Sequence, residues 1–148
     1  MKKTLQLFSL CLIIIIAVIS TTAFAAAPGD SADPQANSYI WKTTVGIVPL
    51  GSGKIEVDFS VTGTAKPMPD IGATHVDIYN ATGKCVKTYV YTAPGYEYMI
   101  GHNKFSHTAS VTYQGVSGQR YYAIVSFYAG EMGVAGGGDS LKSPAIYA

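Results

Sequence analysis

Cysteine is almost missing from this chain: Cys11 and Cys85 are the only two. Cys11 lies in an apolar run at the N-terminus that reads as an export signal, so processing leaves Cys85 alone. One cysteine forms no intrachain bridge, and no disulfide framework is expected. The core alone must hold the fold, and a domain of this size buries roughly two thirds of its unfolded surface, which is enough. Cys85 itself reads as a small, half-buried hydrophobe. A covalent dimer through it is the sharper alternative.

Charge is also scarce. Arg120 is the only arginine, and loss of Lys2 and Lys3 with the signal leaves eight basic residues against nine acidic ones. No basic stripe exists to follow a phosphate backbone, so nucleic acid is not an expected partner. There is no long acidic run either.

Only one long hydrophobic run is present. Met1-Lys2-Lys3 is a short basic start, and Leu5 to Ile19 is nearly unbroken apolar sequence. Ala23-Phe24-Ala25 then places small residues where a signal peptidase reads them. The apolar core is roughly fifteen residues, short of the about twenty a spanning helix needs. Residues 1–25 therefore read as a cleaved Sec-type signal, with Ala23 and Ala25 as the cleavage determinants. The twin-arginine pair is missing. Cys11 lies too early for a lipoprotein signal, and Ser143 to Ala148 offers no anchoring tail. The expected product is a secreted, extracellular protein without a stable membrane anchor.

Past the signal no amphipathic helix is evident. Residues 26–37 hold Pro28, Gly29, Asp30, Ser31, Asp33, Pro34 and Asn37, the composition of a flexible leader. Residues 38–148 then read as one domain of strands. Tyr39, Trp41, Thr43, Val45 and Ile47 alternate with Ile40, Lys42, Thr44 and Gly46. Ile55, Val57, Phe59 and Val61 alternate with Glu56, Asp58, Ser60 and Thr62, the pattern of a half-buried strand. Ala73–Tyr79 puts Thr74, Val76 and Ile78 on one face. Asn80-Ala81-Thr82-Gly83 reads as a tight hairpin into Lys84–Tyr91. Phe105–Gln114 and Arg120–Ala129 are further strands, the latter the most apolar, with Tyr121, Ala123, Val125 and Phe127 on one face and Tyr122, Ile124, Ser126 and Tyr128 on the other. Gly130–Asp139 reads as a Gly-rich loop. Leu141–Tyr147 is a last strand that Pro144 assigns to a sheet edge. About seven strands with turns between them give an all-β sandwich, with a small barrel as the alternative.

Gly118-Gln119-Arg120-Tyr121, with Ala123, Val125 and Phe127, resembles the sixth strand of a fibronectin type III or related immunoglobulin-like domain. In that family a tyrosine at this strand's start bonds back to the preceding corner. Ser143-Pro144-Ala145-Ile146 resembles the final strand. Ile71-Gly72-Ala73, Ile78-Tyr79, Tyr98-Met99-Ile100-Gly101 and Tyr121–Ala129 are similar to small secreted one-domain proteins of Gram-positive gut bacteria, a group with no known activity. A fibronectin domain carries tryptophan in its second strand, where this chain has Phe59. Trp41 lies in the first strand instead.

Catalytic and metal signatures fail one by one. His75, His102 and His107 lack the spacing of a zinc pair and have no thiolate companions. Gly115-Val116-Ser117-Gly118 begins like a nucleophile elbow, but Gln119 replaces the second glycine and strands flank it on both sides. Gly51-Ser52-Gly53-Lys54 lacks the other elements of a phosphate loop. Gly136-Gly137-Gly138-Asp139 has too few oxygen ligands for calcium. No metal, no cofactor and no enzymatic activity are expected.

Tyrosine is what the chain has in quantity, eleven residues. Tyr89, Tyr91, Tyr96 and Tyr98 surround a long connection, Thr92 to Lys104, of a length that is uncommon unless functional. A tyrosine ring has an apolar face and a polar tip, suited to stacking on a sugar or a protein. Tyr91, Tyr96 and Tyr98 are therefore the expected ligand-binding residues, for a glycan or protein at the cell surface. A structural subunit that pairs through an edge strand is the alternative, and a small extracellular hydrolase is the third reading.

Overall fold

The computed structural model describes residues 29–30, 39–64 and 66–148. The expected signal, with Ala23 and Ala25, and most of the expected leader lie outside these. No helix among the described residues is long and apolar enough to cross a membrane. The described chain is all-β. It comprises β1 (Gly29–Asp30), β2 (Ile40–Gly51), β3 (Lys54–Gly63), β4 (Met68–Asn80), β5 (Cys85–Val90), β6 (Ile100–Lys104), β7 (Ser106–Gln114), β8 (Arg120–Glu131), β9 (Ala135–Lys142) and β10 (Ile146–Tyr147). One turn of 3-10 helix, Glu97–Met99, precedes β6.

The strands form two antiparallel sheets, a β-sandwich. One runs β1-β2-β3-β7; the other runs β10-β8-β4-β5, with β6 added to β4 and β9 to β8. The alternation in β3 buries Ile55, Val57, Phe59 and Val61. Tyr121, Ala123, Val125 and Phe127 of β8 oppose them from the second sheet. Phe59 and Phe127 meet edge to face with centroids 6.3 Å apart. Each fully buried aliphatic or aromatic side chain contributes roughly 1.5–3 kcal/mol over leaving it in water. The Asn80 side chain closes the β4–β5 hairpin, its Oδ1 accepting from the backbone N–H of Thr82 and of Lys84.

The expected seven strands become ten. β4 is much longer than β5, so its N-terminal half leaves one flank open, and Ile100–Lys104 of the expected loop pairs there. The Gly-rich segment is also paired, with Ala135 to Lys142 in register along β8. Tyr128 explains how so poor a strand former is held. A Cβ on Gly136 would sit 2.3 Å from the Tyr128 hydroxyl, so the ring lies directly over the bare glycine. The expected last strand is split, Pro144 falling between β9 and β10. Gly29–Asp30 of the leader pairs with Thr44–Val45.

Two bulges reassign side chains. The register shifts between Ile40 and Lys42, so Ile40 is buried with Thr43, Val45 and Ile47, while Trp41 is 68% exposed. Strict alternation groups Trp41 with Thr43, Val45 and Ile47, which are buried; one extra residue turns it out. A second shift between Ala73 and His75 leaves Thr74 half-buried between the buried pairs Ile71/Ala73 and Val76/Ile78.

Candidate functional site

The connection from β5 to β6 folds back against the edge of β7. Tyr89, at the end of β5, is buried, and its hydroxyl donates to the Thr112 carbonyl at 2.7 Å. The Tyr98 hydroxyl donates to the Ser110 carbonyl at 2.9 Å. Both acceptors belong to β7 and are edge carbonyls without a strand partner, so the two phenols cap an edge that would otherwise invite another strand. Tyr96 stands between them, with ring centroids 5.2 Å from Tyr89 and 6.3 Å from Tyr98. Burial first, then Tyr96, Tyr113 and Tyr98, push the Tyr89 phenol up to about 12. Tyr98 is also raised, by burial and then by Tyr96. These phenols are neutral donors at neutral pH.

Of the three expected ligand residues, the structure brings Tyr96 and Tyr98 together and adds Tyr89. Tyr91 is half-buried and stands in another group. It raises the Tyr128 phenol along with burial, Asp70, Tyr39 and Glu131, burial being the largest cause. Tyr98 has 47% of its surface exposed although its hydroxyl is pinned. A further pair that sequence reasoning did not single out lies on the outer face of the second sheet. Tyr79 and Tyr122 stack with centroids 5.1 Å apart, and Lys142 Nζ sits 4.0 Å from the Tyr122 ring. Their register opposition on β4 and β8 was the missing signal, and it needs the strand order to be read.

The histidines are spread. His75 and His102 are exposed and His107 is half-buried. His102 Nδ1 lies 2.7 Å from Asp70 Oδ1, while Asp70 Oδ2 accepts from the Met132 N–H at 3.0 Å. Asp70 therefore ties β6 to the turn after β8. His107 Nε2–H donates to the Tyr98 carbonyl at 2.7 Å, which steadies the 3-10 turn. No three His, Cys, Asp or Glu side chains are grouped to hold a metal ion among the described residues. Cys85 corrects the half-buried reading: it is exposed, because its strand is the sheet edge and its position pairs with the outward Tyr79.

No protein-family model matches the chain, and no curated protein matches it either.

Proposed function

We propose that this chain is an exported, non-enzymatic, immunoglobulin-like binding module of the cell surface, and that Tyr98, backed by Tyr96, is its stacking platform. The observation that carries this is the Tyr98 ring, half exposed yet fixed by its hydroxyl on Ser110. An aromatic ring held in place before the ligand arrives loses little rotamer freedom on binding. A three-stranded β2-β3-β7 layer against β9-β8-β4-β5, and the Tyr121 hydroxyl bonded to the turn before β8, support the family resemblance.

The test is a thermal-shift screen of the mature protein against neutral oligosaccharides, peptidoglycan fragments and divalent metals. A ligand at a hundredfold excess over its Kd adds roughly 2.7 kcal/mol, which is readily seen. Tyr98→Ala is expected to lose the shift while Tyr91→Ala keeps it. A folded Tyr98→Ala variant with full affinity for the ligand found would sink the platform.

A further inference from the structure

The outer face of the first sheet is a hydroxyl grid. Core residues Val45, Phe59, Val61 and Val111 point inward, so the residues between them point to the opposite side. Thr62 and Ser106 register in one row, Thr44, Ser60 and Thr108 in the next, and Ser110 in a third. In that third row Asp58 lies over Gly46, where a Cβ would meet the carboxylate at 2.4 Å. No large apolar side chain interrupts these rows. Lys42 is the one cation and Asp58 the one carboxylate that β2, β3 and β7 bring to these rows; Asp30 of β1 registers with Thr44, and Glu56 and Lys54 follow on the same face beyond.

An aromatic ring stands at either end of the grid. The chain's only tryptophan, Trp41, is turned into solvent by its bulge beside the Lys42–Thr62–Ser106 row. Bulges of this kind re-aim side chains next to functional sites. At the other end the Tyr98 ring is pinned at the β7 edge, at the level of Ser110. With strands ~4.8 Å apart and ~3.4 Å of rise per residue, the diagonal from Trp41 to Tyr98 is on the order of 15–20 Å.

From this geometry we infer that the face between Trp41 and Tyr98 binds an extended neutral oligosaccharide, several sugar rings long. Aromatic rings stack on the apolar faces of the terminal sugars. The intervening hydroxyls and Asp58 exchange hydrogen bonds with sugar hydroxyls. A face of many hydroxyls, with Lys42 the one cation in its rows and no cluster of cations to hold a phosphate or uronate polymer, fits a neutral chain. The inference rests on the reading of Tyr98 as a stacking ring and adds the ligand class and the rest of the site.

The experiment is titration calorimetry of the mature protein with gluco-, xylo- and manno-oligosaccharides of increasing length. Trp41→Ala, Thr108→Val and Tyr98→Ala are measured beside it, each checked for an unchanged melt. Affinity is expected to rise with chain length. Trp41→Ala is expected to weaken the longest chains about tenfold and leave disaccharides unaltered; Thr108→Val weakens every chain it touches. The extended face is overturned if no neutral oligosaccharide binds, or if Trp41→Ala and Thr108→Val match wild type while Tyr98→Ala alone loses affinity. That second result leaves the platform standing. Undiminished binding by Tyr98→Ala overturns platform and extended face together.

Discussion

The hydroxyl of Tyr121 accepts a hydrogen bond from the Val116 N–H at 3.0 Å and lies 3.1 Å from Gln119 Oε1. It thereby pins the β7–β8 turn to the core, since the Tyr121 ring is buried and meets Tyr113 edge-on at 5.6 Å. Tyr121→Phe keeps the ring and removes both bonds. The expected loss is about 1 kcal/mol, the net worth of a hydrogen bond whose freed donor is near solvent. Urea denaturation should show a lower midpoint at unchanged slope. An unshifted midpoint would mean that the turn holds itself.

Ser143 performs a related task deeper in the sandwich. It is buried, and its Oγ accepts from the Ala123 N–H at 2.8 Å while donating to the Pro144 carbonyl at 2.8 Å. Its own N–H donates to the Ala123 carbonyl at 2.8 Å. The side chain therefore supplies the acceptor that the ladder lacks where Pro144 interrupts it. Ser143→Ala leaves a buried N–H unpaired, and the expected cost is about 1–3 kcal/mol. Calorimetric melting would read this directly, and a cost near zero would place water at Ala123.

Alkaline pH should weaken the fold through Tyr89. Its phenol rises from 10.0 unfolded to about 12 folded, chiefly by burial. The folded state thus holds the proton more tightly, and that contribution is complete below pH 10. It disappears as pH climbs through the window from 10 to about 12. An ionised Tyr89 also cannot donate to Thr112. Melting midpoints taken between pH 9 and 12 should fall, and Tyr89→Phe should flatten the fall. Equal slopes for both proteins would remove Tyr89 as the cause.

How far the sequence reached can be followed at single residues. Ile55 to Val61 was legible because β3 is central in its sheet and carries no bulge across that stretch. Tyr121 was legible as a corner residue only through the resemblance of Gly118–Phe127 to an immunoglobulin-like sixth strand; alternation alone placed it on a face. Trp41 was misplaced by a single inserted residue, and alternation carries no mark of a bulge. β9 was hidden because Gly136, Gly137 and Gly138 have no strand pattern of their own; the Tyr128 ring across the sheet supplies what they lack. The tyrosine cluster was visible as composition. Which rings cap an edge, which face solvent, and that Tyr91 stands apart depended on β7 lying beside the 92–104 connection.

Cys85 lies open to reagents in solution. Its Sγ is exposed at the edge of β5, 3.6 Å from the Lys87 carbonyl and from Thr88 Oγ1, contacts too long and too wet to shield it. Native protein lacking residues 1–25 should therefore titrate one thiol per chain with Ellman's reagent, without denaturant. Cys85→Ser should change stability by less than about 0.5 kcal/mol, as for other surface substitutions. Lys87 on the same strand, with its ammonium 5.2 Å from the Tyr89 ring, discourages edge-to-edge pairing. Any dimer seen on a non-reducing gel should then be a tether between folded copies. Reductant should dissolve it with no change in the melting temperature, whereas a melt that falls with the dimer would show that the two β5 edges had joined into one sheet.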